Sequence, residues 1–372
     1  MAGGTDFRRV AGVLVLAGAL GCGGAALTTG NDGSVAGHAG GDSGLPGDAS
    51  PNAGVVLVPI ESRETIADPR QPIVYLSATS NSATNPKSVV AVSTTTGAVV
   101  WATPLPFEPG HIAVADDGST LYATAWPPEA QVARLNLSTH AIELMFSLPK
   151  SSDGGGQYQP DDVTMIPGSP RTAIVSMRDD VVFGAALAVF DDASMRPSLQ
   201  ANLGQHRFIM HMGGGMLYAL AVGGPFLSFT VDAQGLGPGM AGEPPGSLGS
   251  YARYFSYDGE LIFSNDGIVI DPRTGARIGV YDGDPAATAV DRPGGRTYLA
   301  MQPPAGESTA PITAIECDRL AFTRLRKVTL GYVGVTYRMI RAMDGTLALD
   351  ALLDKNELLL IQPSAWTHAT PP

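Results

Sequence analysis

The chain has little that could cross-link it or give it a strongly charged surface. Its 372 residues include 2 cysteines and 3 tryptophans, and only 16% are charged. Cys22 and Cys317 are too few for a disulfide framework, and no C-x-x-C pair offers a thiolate metal or redox site. No window gathers Lys or Arg, and the formal net charge is −12. Nucleic acid is therefore not an expected partner, because phosphate contacts need basic side chains. Acidity of this kind serves solubility. The apolar run at residues 10–20 falls short of the ~20 residues of a membrane-spanning helix. Long amphipathic helices are missing as well. The 46 glycines and 29 prolines instead favour many short strands joined by turns.

At the N-terminus, Arg8 and Arg9 precede the apolar run, and Gly21-Cys22 follows it. A basic start, a short apolar region and a small residue before the cut describe a secretory signal. The segment Ala19-Leu20-Gly21-Cys22 resembles a bacterial lipobox, with Ala at the place where Leu is usual. That resemblance implies a signal peptide at 1–21, lipidation of Cys22 and a lipid anchor to the membrane. The alternative is ordinary cleavage after a small residue such as Ala19, which would give a secreted protein. Residues 23–54 are mostly Gly, Ala, Asp and Ser and cannot bury enough apolar surface to offset their ordering entropy, so 22–53 is expected to be a flexible tether. With Cys22 lipidated, Cys317 has no disulfide partner and is expected to be a small buried hydrophobe.

Beyond the tether the sequence repeats. Residues 112–126, IAVADDGSTLYATAW, read as a strand, a tight turn at Asp117-Gly118 suited to a two-residue hairpin, and a second strand. Comparable turn signals recur at Asp68-Pro69, Pro167-Gly168, 213–215, Asp258-Gly259, Gly294-Gly295 and Asp344-Gly345. Spacings of about 36–50 residues match four-stranded propeller blades. The fold expected is all-β, a seven-bladed β-propeller over 54–363 with a tail at 364–372. A count of six or eight blades stays open at this level. The last blade lacks a fourth strand, while residues 54–60, GVVLVPI, form a strand ahead of the first blade. Pairing the two would close the ring and remove the exposed sheet edges.

The blade pattern resembles YVTN-type and lactonase-like propellers of the WD40-like class, through residues 111–122, HIAVADDGSTLY, and in part through 258–261 and 294–299. A second resemblance, to quinoprotein-like repeats, rests on residues 91–101, AVSTTTGAVVW. A quinone enzyme of that kind repeats its Trp in most blades, and three Trp do not allow that. These resemblances speak for fold and hardly for activity.

No strong catalytic motif is present: there is no G-x-S-x-G elbow, no H-E-x-x-H and no P-loop. Asp282-Gly283-Asp284 lacks the later ligands of a calcium loop and reads as an acidic turn. The aspartate pairs at 116–117, 161–162, 179–180 and 191–192 read as turn and cap chemistry. One constellation remains. Counting back about seven residues from each turn reaches the start of the innermost strand, at one mouth of the channel. That gives His111, Asp161 with Asp162, His206 with Arg207, Tyr251 with Arg253, and Tyr337 with Arg338; His211 lies further along the strand that follows His206. Lactonase-like propellers place catalytic or metal-binding groups in this region, so the resemblance makes His111, Asp161 and His206 the catalytic candidates. His with Asp can bind a divalent cation or act as an acid–base pair. Channel mouths are wet, however, and collect polar residues in any case. These residue types differ between blades, and no glutamate is expected among them.

The function expected is that of a binding module of the bacterial cell envelope, exported and membrane-tethered. Its partner would be an envelope protein, a glycan or a small ligand, met through Arg207, Tyr251, Arg253, Tyr337 and Arg338. No metal or other cofactor is assigned, a divalent metal staying open, and a monomer is expected. The alternatives are a lactonase-like hydrolase and a cofactor-less quinoprotein-like scaffold in envelope assembly.

Overall fold

A computed structural model describes residues 53–151, 156–179, 184–201, 203, 208–221, 226–241, 254–283, 285–301, 311–352 and 356–370. Seven antiparallel sheets follow one another along the chain, and each is a blade. Blade 1 comprises Ser62–Ala67, Ile73–Ala78, Ser88–Ser93 and Val99–Pro104, and blade 2 Pro109–Val114, Thr120–Ala125, Gln131–Asn136 and Ala141–Ser147. Blade 3 begins with Gln159–Met165, blade 4 with Phe208–Gly213, blade 5 with Phe255–Tyr257 and blade 6 with Pro285–Asp291. Blade 7 joins Val335–Arg341, Leu347–Leu352 and Asn356–Ile361 to the N-terminal strand Val55–Val58. That strand runs antiparallel along the third strand of the blade, from Val55 opposite Ile361 to Val58 opposite Leu358. The molecule is thus a seven-bladed β-propeller, its ring closed by a strand from the opposite end of the chain.

All seven turns expected from the sequence join the first and second strands of a blade. Their chemistry is more varied than a two-residue hairpin. The opening example spans four residues, 116–119, inside a bond from the Ala115 N–H to the Thr120 carbonyl at 2.9 Å. Only Gly118 takes positive φ, at +65°, a conformation costly for any residue with a Cβ. Blade 1 has no glycine in its turn. There Asp68 Oδ1 accepts the N–H groups of Arg70 at 2.7 Å and Gln71 at 2.9 Å.

The core is divided among the blade interfaces. Seven apolar clusters lie one between each neighbouring pair of sheets, so a typical blade buries both of its faces. This explains why the second strands read as unbroken small and apolar runs: every residue of Thr120–Ala125 is buried. Outermost strands alternate instead, as along Ala141–Ser147, because one side meets water. Blades 3 and 4 have fourth strands of two residues each, Ser194–Met195 and Gly235–Leu236, too short to leave a pattern in the sequence. Cys317 is buried at the interface of blades 5 and 6 without a disulfide, and burial pushes its thiol up to about 11.

Residues 363–370 are packed onto the ring. A 3-10 turn, Pro363–His368, sets Trp366 into the cluster between blades 6 and 7, and Thr370 exchanges two backbone bonds with Lys327. Among the described residues no helix is long and apolar enough to cross a membrane.

The closing seam is held by Val58 and Ile60, each 2% exposed, against Leu358 and Leu360 of blade 7 and Val74 and Leu76 of blade 1. Ile60→Ala is expected to lower stability by about 3 kcal/mol, as truncation of a well-packed core residue does. Val99→Ala on an outer strand, where the residue is 44% exposed, should change it by about 0.5 kcal/mol or less. Urea unfolding of the two variants compares them directly. Equal midpoints would remove the seam from its role in holding the ring.

Candidate functional site

The innermost strands of all seven blades line one central cavity of about 270 Å³. In five of them the pairing with the second strand slips near the start. The slips lie between Ser62 and Thr65, Pro109 and Ile112, Pro160 and Asp162, Pro285 and Ala287, and Thr336 and Arg338. A bulge of this kind adds an unpaired residue and re-aims the neighbouring side chains. Three of the five start at proline, which has no N–H to give to the ladder. Hydroxyls of the second strand satisfy two of the loosened backbones. Ser77 Oγ accepts the Glu64 N–H at 3.0 Å, and Thr124 Oγ1 accepts the His111 N–H at 2.8 Å.

These bulges bring together a polar relay that crosses four blade interfaces. Arg338 of blade 7 pairs through Nη1 with Glu64 Oε1 of blade 1. Glu64 Oε2 accepts the Ile112 N–H of blade 2 at 2.7 Å and lies 3.1 Å from His111 Nδ1. His111 Nδ1 is 3.7 Å from Asp162 Oδ1 of blade 3. Asp162 Oδ1 accepts the Val163 N–H, and Oδ2 accepts the Met210 N–H of blade 4, both at 2.8 Å. Glu64 and Asp162 are each 5% exposed. Burial pushes the Asp162 carboxyl up to about 6, while His111 pulls the other way. Asp350, on the second strand of blade 7, accepts the Thr65 hydroxyl at 2.5 Å. Burial raises it to about 6 against the pull of Thr65 and Arg338.

Further along the channel the lining turns apolar. Ile66, Val114, Ile166, Met212 and Ile340 are half-buried near the turn ends of their innermost strands. His211 also lines the cavity, edge-on to Phe255 at 4.7 Å, and burial lowers it to about 4. At the rim, the Arg63 guanidinium stacks on Trp126 at 3.8 Å and pairs with Glu108 at 3.3 Å.

Of the residues singled out in the sequence, His111 and Arg338 meet in this cluster. Asp161 is buried in the bulge of blade 3, and its neighbour Asp162 is the one beside His111. The Asp161-Asp162 pair therefore corrects its reading as turn chemistry, since both residues lie inside the strand Gln159–Met165. Tyr337 occupies the bulge of blade 7, its side chain outside the described residues. His206, Arg207, Tyr251, Arg253 and Cys22 also lie outside them. The expectation that no glutamate joins the ring is overturned by Glu64, which contacts Arg338, His111 and Ile112. Counting back about seven residues from Asp68 reaches Glu61, because the bulge between Ser62 and Thr65 shifts Glu64 off any fixed count.

Seven blades around a channel with a charged mouth define the class of protein, and solved structures agree on the fold. No protein-family model matches the sequence, and a search of the curated proteins returned no match. The hydrazine synthase of Kuenenia stuttgartiensis is similar in structure at TM-score 0.58 and 14% identity, covering 88% of this chain and 100% of that one. The Cps50 (Swd1) β-propeller domain of Myceliophteria thermophila aligns at TM-score 0.58 and 9% identity, over 81% of this chain and 95% of that one. U3-55K aligns at TM-score 0.57 and 11% identity, over 84% and 100%. At such identities the likeness is one of fold alone.

Two outcomes follow from the relay. Glu64→Ala removes the carboxylate paired with the half-buried Arg338 guanidinium and the acceptor of the Ile112 N–H, and should cost about 2–3 kcal/mol. Arg338→Met in the same background should recover part of that loss, which a double-mutant cycle in urea measures. Asp350 holds its proton more tightly folded than unfolded. Its contribution is complete below about 3.9, the unfolded value, and fades as pH rises through about 6. Wild type should therefore gain about 2–4 °C in Tm between pH 7.5 and pH 5 relative to Asp350→Asn. Parallel melting curves for the two proteins would contradict the burial of that charge.

Proposed function

We propose that this protein is an exported β-propeller of YVTN type, tethered to the bacterial envelope through Cys22, which binds its ligand at the charged mouth of the channel. The observation that carries the binding role is the cluster of Glu64, His111, Asp162 and Arg338 at the entrance to an apolar-walled cavity. Small-molecule sites combine such walls with a few convergent polar groups. The loops between second and third strands open at the same end as this cluster, because each strand reverses the one before it. A partner protein or glycan would meet them there. The anchor rests on the sequence, from the basic start and apolar run to Cys22 and the Gly/Ala/Asp/Ser tether.

A second reading, a lactonase-like hydrolase, is favoured by one feature. His111 sits between two buried carboxylates and beside a cavity, an arrangement suited to a general base with a divalent metal as cofactor. A screen of lactones and esters against wild type and His111→Ala separates the readings. Turnover lost in the variant supports the hydrolase, and no turnover in either leaves the binding module.

The tether is tested by replacing Cys22 with Ser. Wild type should sediment with membranes and incorporate labelled fatty acid, and Cys22→Ser should do neither. For the binding face, a photo-crosslinking residue at Thr84 or Glu129, both exposed on mouth-side loops, should trap a partner that the same residue at Arg273, on the opposite face, does not. Equal yields at both faces would contradict a ligand at the mouth.

A further inference from the structure

We propose that Glu64, His111 and Asp162 form a site for one divalent cation of the zinc class, open to the central cavity. Their ligand atoms come from three adjacent blades and all lie within 4.8 Å of one another. Donors held at about 2.1 Å from one ion are separated by about 3.0–3.4 Å in octahedral or tetrahedral geometry. His111 Nδ1 is already 3.1 Å from Glu64 Oε2 and 3.7 Å from Asp162 Oδ1. The two carboxylates need only draw toward each other to complete the shell.

The surroundings suit a metal centre. Arg338 takes the Glu64 oxygen that the ion would not use, and the backbone N–H groups of Ile112, Val163 and Met210 fix both carboxylates. Such outer contacts orient ligands and tune affinity. Among the described residues, Asp162 meets no guanidinium or ammonium group, so a cation between it and Glu64 would balance a buried charge. One ring nitrogen with two carboxylates is a donor set for zinc or manganese. Calcium takes six to eight oxygens, which this cluster does not supply. Three protein ligands leave at least one position facing the cavity, where a ligand atom or water can bind. The inference is independent of whether the module binds or hydrolyses what enters.

The purified full chain, stripped with chelator, is incubated separately with Zn²⁺, Mn²⁺ and Ca²⁺, desalted and analysed for metal. One equivalent of Zn²⁺ or Mn²⁺ per chain is expected, with Ca²⁺ lost. His111→Gln and Asp162→Asn should each weaken binding at least tenfold, by titration calorimetry with Zn²⁺. Because either substitution could unsettle the bulges, Co²⁺ is added to wild type as a second reading. Visible ligand-field bands are expected from a nitrogen- and oxygen-ligated ion held in the protein. Wild type that retains no Zn²⁺ or Mn²⁺, or gives no bands with Co²⁺, overturns the site. So does stoichiometric metal unaffected by both substitutions.

Discussion

Seven sheets that are each apolar on both faces can satisfy themselves in one way, by packing face to face until the last meets the first. The interfaces carry the core here, one cluster to each, and no blade has an interior of its own. An open arc would leave two such faces in water, at roughly 25 cal/mol for each Å² of apolar surface. Closure is therefore a condition on the whole fold. The strand Val55–Val58 meets it by adding an N-terminal edge to a C-terminal sheet, so that separation of the termini requires disruption of blade 7. Ion pairs and hydrogen bonds between blades reinforce the ring at the opposite mouth. Arg319 reaches Asp258 and Glu260, Arg341 reaches Asp291, and Thr94 reaches Asp344.

Closing the ring also crowds the innermost strands around an axis where their backbones and side chains compete for space. Bulges at the strand starts relieve this by releasing one or two residues from the ladder. Loosened N–H groups and side chains then bond across to the next blade. Glu64 accepts from Ile112, and Asp162 accepts from Met210. The polar relay is in this sense a second closure, weaker than the apolar one and at a different radius. Its charges are tolerable because each has partners, and the pushed-up carboxyls of Asp162 and Asp350 show how much burial still opposes them.

Features that depend on local chemistry were legible in the sequence. The seven turns stood out because Asp, Gly and Pro set backbone angles by themselves, and the second strands because burial on both faces leaves an unbroken apolar run. The closing strand was legible as one strand too many at one end and one too few at the other. Two-residue strands such as Ser194–Met195 carry no period to detect. The site was legible in part. Counting from the turns found His111 and Arg338, but a bulge adds a residue that no fixed count includes. It therefore missed Glu64 and named Asp161 as the candidate, where Asp162 is the one beside His111. Pro109, Pro160 and Pro285 mark three of the bulges in the sequence itself. A count begun at those prolines reaches Asp162 two residues on.

The bulges repeat from blade to blade, while the residues they present do not. Blade 6 has Ala286 at its slip, so the backbone device requires no charged side chain. Glu64, His111, Asp162 and Arg338 occupy corresponding places in blades 1, 2, 3 and 7. Burying them there sets a desolvation penalty against contacts that alanine would not need. Blade 6, with Ala286 and Ala287 at its slip, completes its ladder without them. The charges at the mouth therefore go beyond what the bulge itself requires. Among the described residues these groups converge on the cavity, which is what a ligand site requires and a structural ring does not.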